Sequence, residues 1–143
     1  MKLAKFLAIG ACAAFALTTT PVFAAEKEKH GEHGKAGHGG KVPDTAEGIV
    51  AEIHKHHGEI TETVKAKNLK TVHEHSEAIT ALANALPAKV AADKKTRVEG
   101  TVKNIAKVAD ALHDAADGGD QAKTEAQLKK LDAVLGQLDT QVK

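Results

Sequence analysis

Residues 50 to 86 read VAEIHKHHGEITETVKAKNLKTVHEHSEAITALANAL, and the spacing of their apolar residues decides the fold. Val50, Ile53, His57, Ile60 and Val64 recur at steps of three and four, the stripe that an amphipathic helix presents to a bundle core. Val72, His75, Ile79, Leu82 and Leu86 repeat the device and end at Pro87. In an antiparallel hairpin these seams pair Val50 with Leu82, Ile53 with Ile79, His57 with His75, and Ile60 with Val72, all about a turn centred on Ala66. The rival is one continuous helix over 44–86, because 65–68 holds neither Gly nor Pro. Against it, the seam slips by one residue between Val64 and Val72, which favours a break with Asn68 as a candidate left-handed cap.

The C-terminal half carries a second pair of seams. Val98, Val102, Ile105, Ala109, Leu112 and Ala116 precede Gly118-Gly119, and Leu128, Leu131, Leu135, Leu138 and Val142 follow Asp120, which can cap the last helix. Their register pairs Val98 with Val142, Ile105 with Leu135 and Leu112 with Leu128 about a turn at Asp120. No strand pattern appears. The expectation is an all-α, up-down-up-down four-helix bundle built from two αα-hairpins over 44–143, with helices at about 44–66, 69–86, 91–117 and 120–142. Asp44 with Glu47 makes a candidate capping box for the first helix, and Gly58 weakens that helix by about 1 kcal/mol relative to alanine.

Upstream, the chain begins as an exported protein does. Lys2 and Lys5 precede an apolar run from Phe6 to Leu17 and then Val22-Phe23-Ala24, whose small residues at −3 and −1 suit cleavage after Ala24. Residues 1–24 are therefore read as a signal peptide and the product as periplasmic or secreted, without membrane insertion after cleavage. A rival cleavage box, Ile9-Gly10-Ala11-Cys12, would make Cys12 a lipidated residue. Residues 25–43 form a low-complexity His/Gly-rich arm, with EKEKHGEHGKAGHGGKVP at 26–43, and nothing apolar to bury, so the arm is expected to be disordered.

Cleavage would also remove the only Cys, the only Met and all three Phe, and the chain has no Trp or Tyr. Disulfides, thiolate and thioether ligands, iron–sulfur clusters and covalent haem are thereby excluded, while imidazole and carboxylate chemistry stays open. Removing Lys2 and Lys5 from 20 basic residues leaves 18 against 19 acidic ones, a net charge of −1 with histidines neutral, which gives no support to nucleic-acid binding.

Histidine is where chemistry concentrates. The register places His57 and His75 in one layer with Ile105 and Leu135, and two buried imidazoles need partners for their nitrogens. A shared divalent ion would satisfy both, with zinc, copper(II) or nickel suited to neutral imidazole. His54, one turn before His57, is a candidate third ligand, with Glu52, Glu74 and Glu77 nearby. His56 and His73 fall off the seams as surface candidates, and His30, His33 and His38 are candidates in the arm. Asp110, His113, Asp114 and Asp117, at helical spacings, could bind a cation, but the favoured reading is a solvated helix end. No nucleophile–base arrangement or phosphate loop occurs, so the chain is read as a non-enzyme.

An export signal, an arm such as HGEHGKAGHGG, and a histidine-bearing bundle together resemble small periplasmic metal-binding proteins of bacterial heavy-metal resistance and homeostasis. That resemblance lies in general layout and carries no residue assignments. It implies a protein that buffers, sequesters or delivers a metal, with an efflux or resistance component as partner. The architecture is also similar to the four-helix cytochromes. However, Cys-x-x-Cys-His is missing, and an aliphatic core without rings to flank a porphyrin disfavours bis-histidine haem. The reading from a different class is a structural or chaperone-like helical module that binds no metal.

Overall fold

A computed structural model describes residues 41–143. The expected signal peptide, with Cys12, and the arm histidines His30, His33 and His38 lie outside the described residues. Four helices follow in order: α1 (Ala46–Lys65), α2 (Val72–Ala85), α3 (Ala92–Asp117) and α4 (Gln121–Val142), with single 3₁₀ turns at Leu69–Thr71 and Leu86–Ala88. Among the described residues there is no strand, and no helix is long and apolar enough to cross a membrane. Each helix packs on the next and α4 closes back on α1, the thinnest of the four interfaces. The result is the expected all-α four-helix bundle.

Local chemistry sets the helix ends. Helix α1 starts one residue later than the Asp44 capping box requires: Thr45 is extended and its Oγ1 accepts the Gly48 N–H at 3.1 Å, while Asp44 pairs with Lys41. Gly48 is needed there, because a Cβ would lie 2.9 Å from the Pro43 ring and 3.1 Å from the capping oxygen.

Helix α1 does break before α2, and the left-handed residue is Lys67, at φ 56°, rather than Asn68. Its N–H donates to Val64 O, and the Asn68 N–H reaches back to Thr63 O at 2.9 Å, the paired bonds of a Schellman end. The α3 end repeats this with Gly119 at φ 67°, its N–H bonded to Ala116 O and that of Asp120 to Ala115 O. Asp120 then caps α4 by accepting the Lys123 N–H at 3.0 Å. That backbone bond, followed by the Lys123 side chain, holds the Asp120 carboxyl below its ordinary range.

Side chains tie the ends together. Gln121 Nε2 donates to Val64 O at 2.8 Å, joining the start of α4 to the end of α1, and Lys94 Nζ donates to Val142 O at the other end of the bundle. Val142 O is a carbonyl that the last turn of α4 leaves without an intrahelical partner, and Val64 O accepts Gln121 beside the Lys67 N–H. The core is aliphatic throughout: Ile49, Ile53, Ile60 and Val64 of α1 meet Val72, Ile79, Leu82 and Ala83 of α2, Val98, Val102, Ile105 and Leu112 of α3, and Leu131, Leu135 and Leu138 of α4. Each fully buried Ile or Leu contributes on the order of 1.5 to 3 kcal/mol by leaving water. Ile49 is fully buried where the sequence pattern favoured Val50, which is half-buried at the margin.

The two left-handed positions carry opposite consequences. Gly119→Ala forces a Cβ into the left-handed region and should lower stability by about 1 to 2 kcal/mol, whereas Lys67→Gly should leave it unchanged or raise it. Urea denaturation of the two variants beside the parent chain checks the sign of each.

Candidate metal centres

Helical geometry determines which histidines can meet. Successive residues turn about 100°, so counted from a core position the third residue onward lies about 60° to one side, and the first lies about 100° to the other. Antiparallel neighbours face each other with equivalent offsets. Here the residues three past a core position form the α1–α2 and α3–α4 contacts: His56 (after Ile53) meets His75 (after Val72), and Thr101 (after Val98) donates to Gln141 (after Leu138). The residues one past form the other two interfaces. His54 (after Ile53) meets Asp139 (after Leu138), and His73 (after Val72) meets His113 (after Leu112).

The expected His57–His75 pair is therefore replaced by His56–His75. On α1 the core positions Ile53 and Ile60 are seven apart, and His56 and His57 straddle the line between them, so neither points down the bundle axis. His56 turns to α2, and His57 turns to α4, where its Nε2 lies 4.0 Å from Asp132 Oδ1. On α2 the same geometry leaves Ser76 buried on the inner side and His75 on the flank. Ile105 and Leu135 are buried in the aliphatic core, to which neither His57 nor His75 belongs. His54 likewise belongs to a different interface from His56 and His75, with its Nε2 2.8 Å from Asp139 Oδ1.

Two groups of convergent ligand atoms result. In the first, His56 Nδ1 and His75 Nδ1 are 3.1 Å apart, and Glu59 Oε2 lies 3.3 Å from the former and 3.2 Å from the latter. Glu59, one turn after His56 on the same flank, is a ligand candidate that seam reading passed over; the His-x-x-Glu spacing was the available signal. Both rings are largely covered, with side chains 18% and 21% exposed. They line a cleft of about 620 Å³ with Lys41, Val42, Pro43 and Glu52, so residues 41–43 border this site. In the second group, His73 Nδ1 is 2.6 Å from His113 Nε2, which is 2.9 Å from Asp117 Oδ2. His73 was expected at the surface and His113 in a solvated helix end. Instead they meet edge-on across α2 and α3, with centroids 4.2 Å apart and an 81° interplanar angle.

Burial, the largest influence, pushes the His56 imidazole below its ordinary pKa. The Glu59 carboxylate opposes this and His75 adds to it. His57 is shifted the same way, again chiefly by burial, with Asp132 opposing and His54 adding. Neutral imidazoles are the form in which a ring nitrogen offers a lone pair. The buried His57 Nε2 has no hydrogen-bond partner.

Among known protein families, curated proteins and solved structures, none matches this chain.

A histidine with a depressed folded pKa is neutral in the fold above its unfolded value. Its stabilising contribution is present above about pH 6.5 and lost as pH falls from there through the folded pKa. The metal-free chain should accordingly denature at lower urea at pH 5 than at pH 7.5. His57→Leu, which removes an unpartnered buried nitrogen, should raise the midpoint at both pH values and shrink the difference between them. A lower midpoint at both would show that His57 stabilises the fold through Asp132.

Proposed function

We propose that this protein binds a divalent transition metal, zinc, copper(II) or nickel, through His56, His75 and Glu59, and that it serves in the periplasm to buffer, sequester or deliver that ion. The observation that carries this reading is the triangle of His56 Nδ1, His75 Nδ1 and Glu59 Oε2, with edges of 3.1 to 3.3 Å. Bonds of about 2.0 to 2.1 Å in a tetrahedron place neighbouring ligand atoms about 3.3 Å apart, so the spacing of these three atoms matches one face of a zinc-like site. Protons alone serve the triangle poorly. The carboxylate only accepts, and two facing Nδ1 atoms in neutral rings need one to donate and the other to accept. One cation satisfies all three.

The ligand set supports exchange rather than permanent structural binding. Three protein ligands leave a fourth position open, whereas closed structural sites use four. The cleft at the triangle is bordered by Lys41, Val42 and Pro43, and the sequence that precedes them carries His30, His33 and His38, residues suited to collecting ions from solution. Such a protein would hand its ion to an efflux or resistance component. Two imidazoles and a carboxylate favour borderline divalent ions over magnesium or calcium, and nothing in the set requires a reaction to be catalysed.

Equilibrium dialysis with zinc tests the site. His56→Ala with His75→Ala should weaken one equivalent by more than about 100-fold, beyond the 10- to 100-fold that loss of a supporting hydrogen bond around a metal costs. His57→Ala should leave that equivalent in place. Uptake unchanged by the His56/His75 pair of substitutions would reject the site. If deletion of 26–41 then removed all binding, the function would belong to the arm.

A further inference from the structure

We infer that His73, His113 and Asp117 form a second divalent-metal site, bridging α2 and α3, so that the bundle holds two ions on opposite flanks of α2. The second site uses none of the side chains of the first and does not depend on it. Its three ligand atoms, His73 Nδ1, His113 Nε2 and Asp117 Oδ2, lie within 4.8 Å of one another, and they come from two helices whose packing is fixed by core residues adjacent to both histidines.

The hydrogen-bond chemistry of this group is frustrated without a cation. His113 Nε2 is approached by His73 Nδ1 at 2.6 Å and by Asp117 Oδ2 at 2.9 Å, yet a neutral ring nitrogen either donates one proton or offers one lone pair. If Nε2–H donates to Asp117, His73 must share the same proton. If His73 donates to a bare Nε2, the Asp117 carboxylate faces a lone pair. A divalent ion among the three atoms is matched to all of them, once the two ring nitrogens part from 2.6 Å to the about 3.3 Å that neighbouring ligand atoms take in a tetrahedral site.

A supporting carboxylate is already in place. His73 Nε2, the nitrogen turned away from His113, lies 3.3 Å from Glu77 Oε1 one turn further along α2. A carboxylate behind a ligating imidazole fixes its tautomer and raises its basicity, and this carboxylate–histidine arrangement recurs at zinc sites. Because the first site joins α1 to α2 and the second joins α2 to α3, two bound ions would link three consecutive helices across the turn at Leu86–Ala88, and so both hairpins.

The test uses the full chain carrying His30→Ala, His33→Ala and His38→Ala, so that arm binding does not enter the count, with zinc as the probe and equilibrium dialysis as the readout. This chain should take up two equivalents. His113→Gln should remove one, and Asp117→Asn, which changes an exposed carboxylate and leaves the helix interface intact, should weaken the same one at least about 10-fold. His56→Gln with His75→Gln should remove the other, and adding Asp117→Asn to that pair should weaken what remains. Circular dichroism confirms that each variant is folded. Zinc uptake unchanged by both His113→Gln and Asp117→Asn overturns the second site, while a loss from His56→Gln with His75→Gln in the same series leaves the first standing. The converse pattern overturns the first and keeps the second.

Discussion

The structure depends on aliphatic residues set seven apart along α1 and α2, Ile53 with Ile60 and Val72 with Ile79, all fully buried. Two turns of helix take a little over seven residues, so these pairs nearly superpose along the axis and pin the rotation of each helix. Everything between them is then assigned to a flank. The residues three past a core position face one neighbour and the residues one past face the other. The histidines are placed by this rule, because an imidazole on the axis would leave nitrogens in an aliphatic layer at about 1 to 3 kcal/mol for each unpaired group. On the flanks the rings keep their carbons against the core and their nitrogens toward one another or toward a carboxylate.

His57 shows what the same pressure does when a partner is missing. Only about 15% of its side chain is exposed, its Nε2 is unpaired, and Asp132 stands 4.0 Å away. Burial lowers its pKa, as it does that of His56, and acid acts on the metal-free bundle through both. Its neighbour His56, equally covered, has found a nitrogen and a carboxylate within 3.3 Å. A displacement of 100° around one helix separates a liability from a candidate ligand.

Much of the fold was legible in the sequence, and less of the site. Seam spacing, Pro87, Gly118-Gly119 and the cap at Asp120 suffice for four helices in two hairpins, and the one-residue slip between Val64 and Val72 marked the break now seen at Lys67. A stripe through Val50 and His57 puts His57 on the bundle axis, whereas the rotation fixed by Ile49, Ile53 and Ile60 turns it toward α4. Drawing the stripe instead through the aliphatics alone and reading the flanks by offset pairs His56 with His75, and His73 with His113, from sequence. Glu59 is signalled only weakly, since its His-x-x-Glu spacing is common on exposed faces, and the arrival of His75 from another helix gives it a role.

Helix rotation, fixed by the aliphatic seams, makes His56 and not His57 the partner of His75. Long-range ¹H–¹⁵N correlation of the histidine rings, recorded without metal and with zinc added, tests this pairing directly. The Nδ1 resonances of His56 and His75 should move together to metal-bound positions while the His57 ring stays in its metal-free state. Movement of His57 together with His75, with His56 unperturbed, would contradict it.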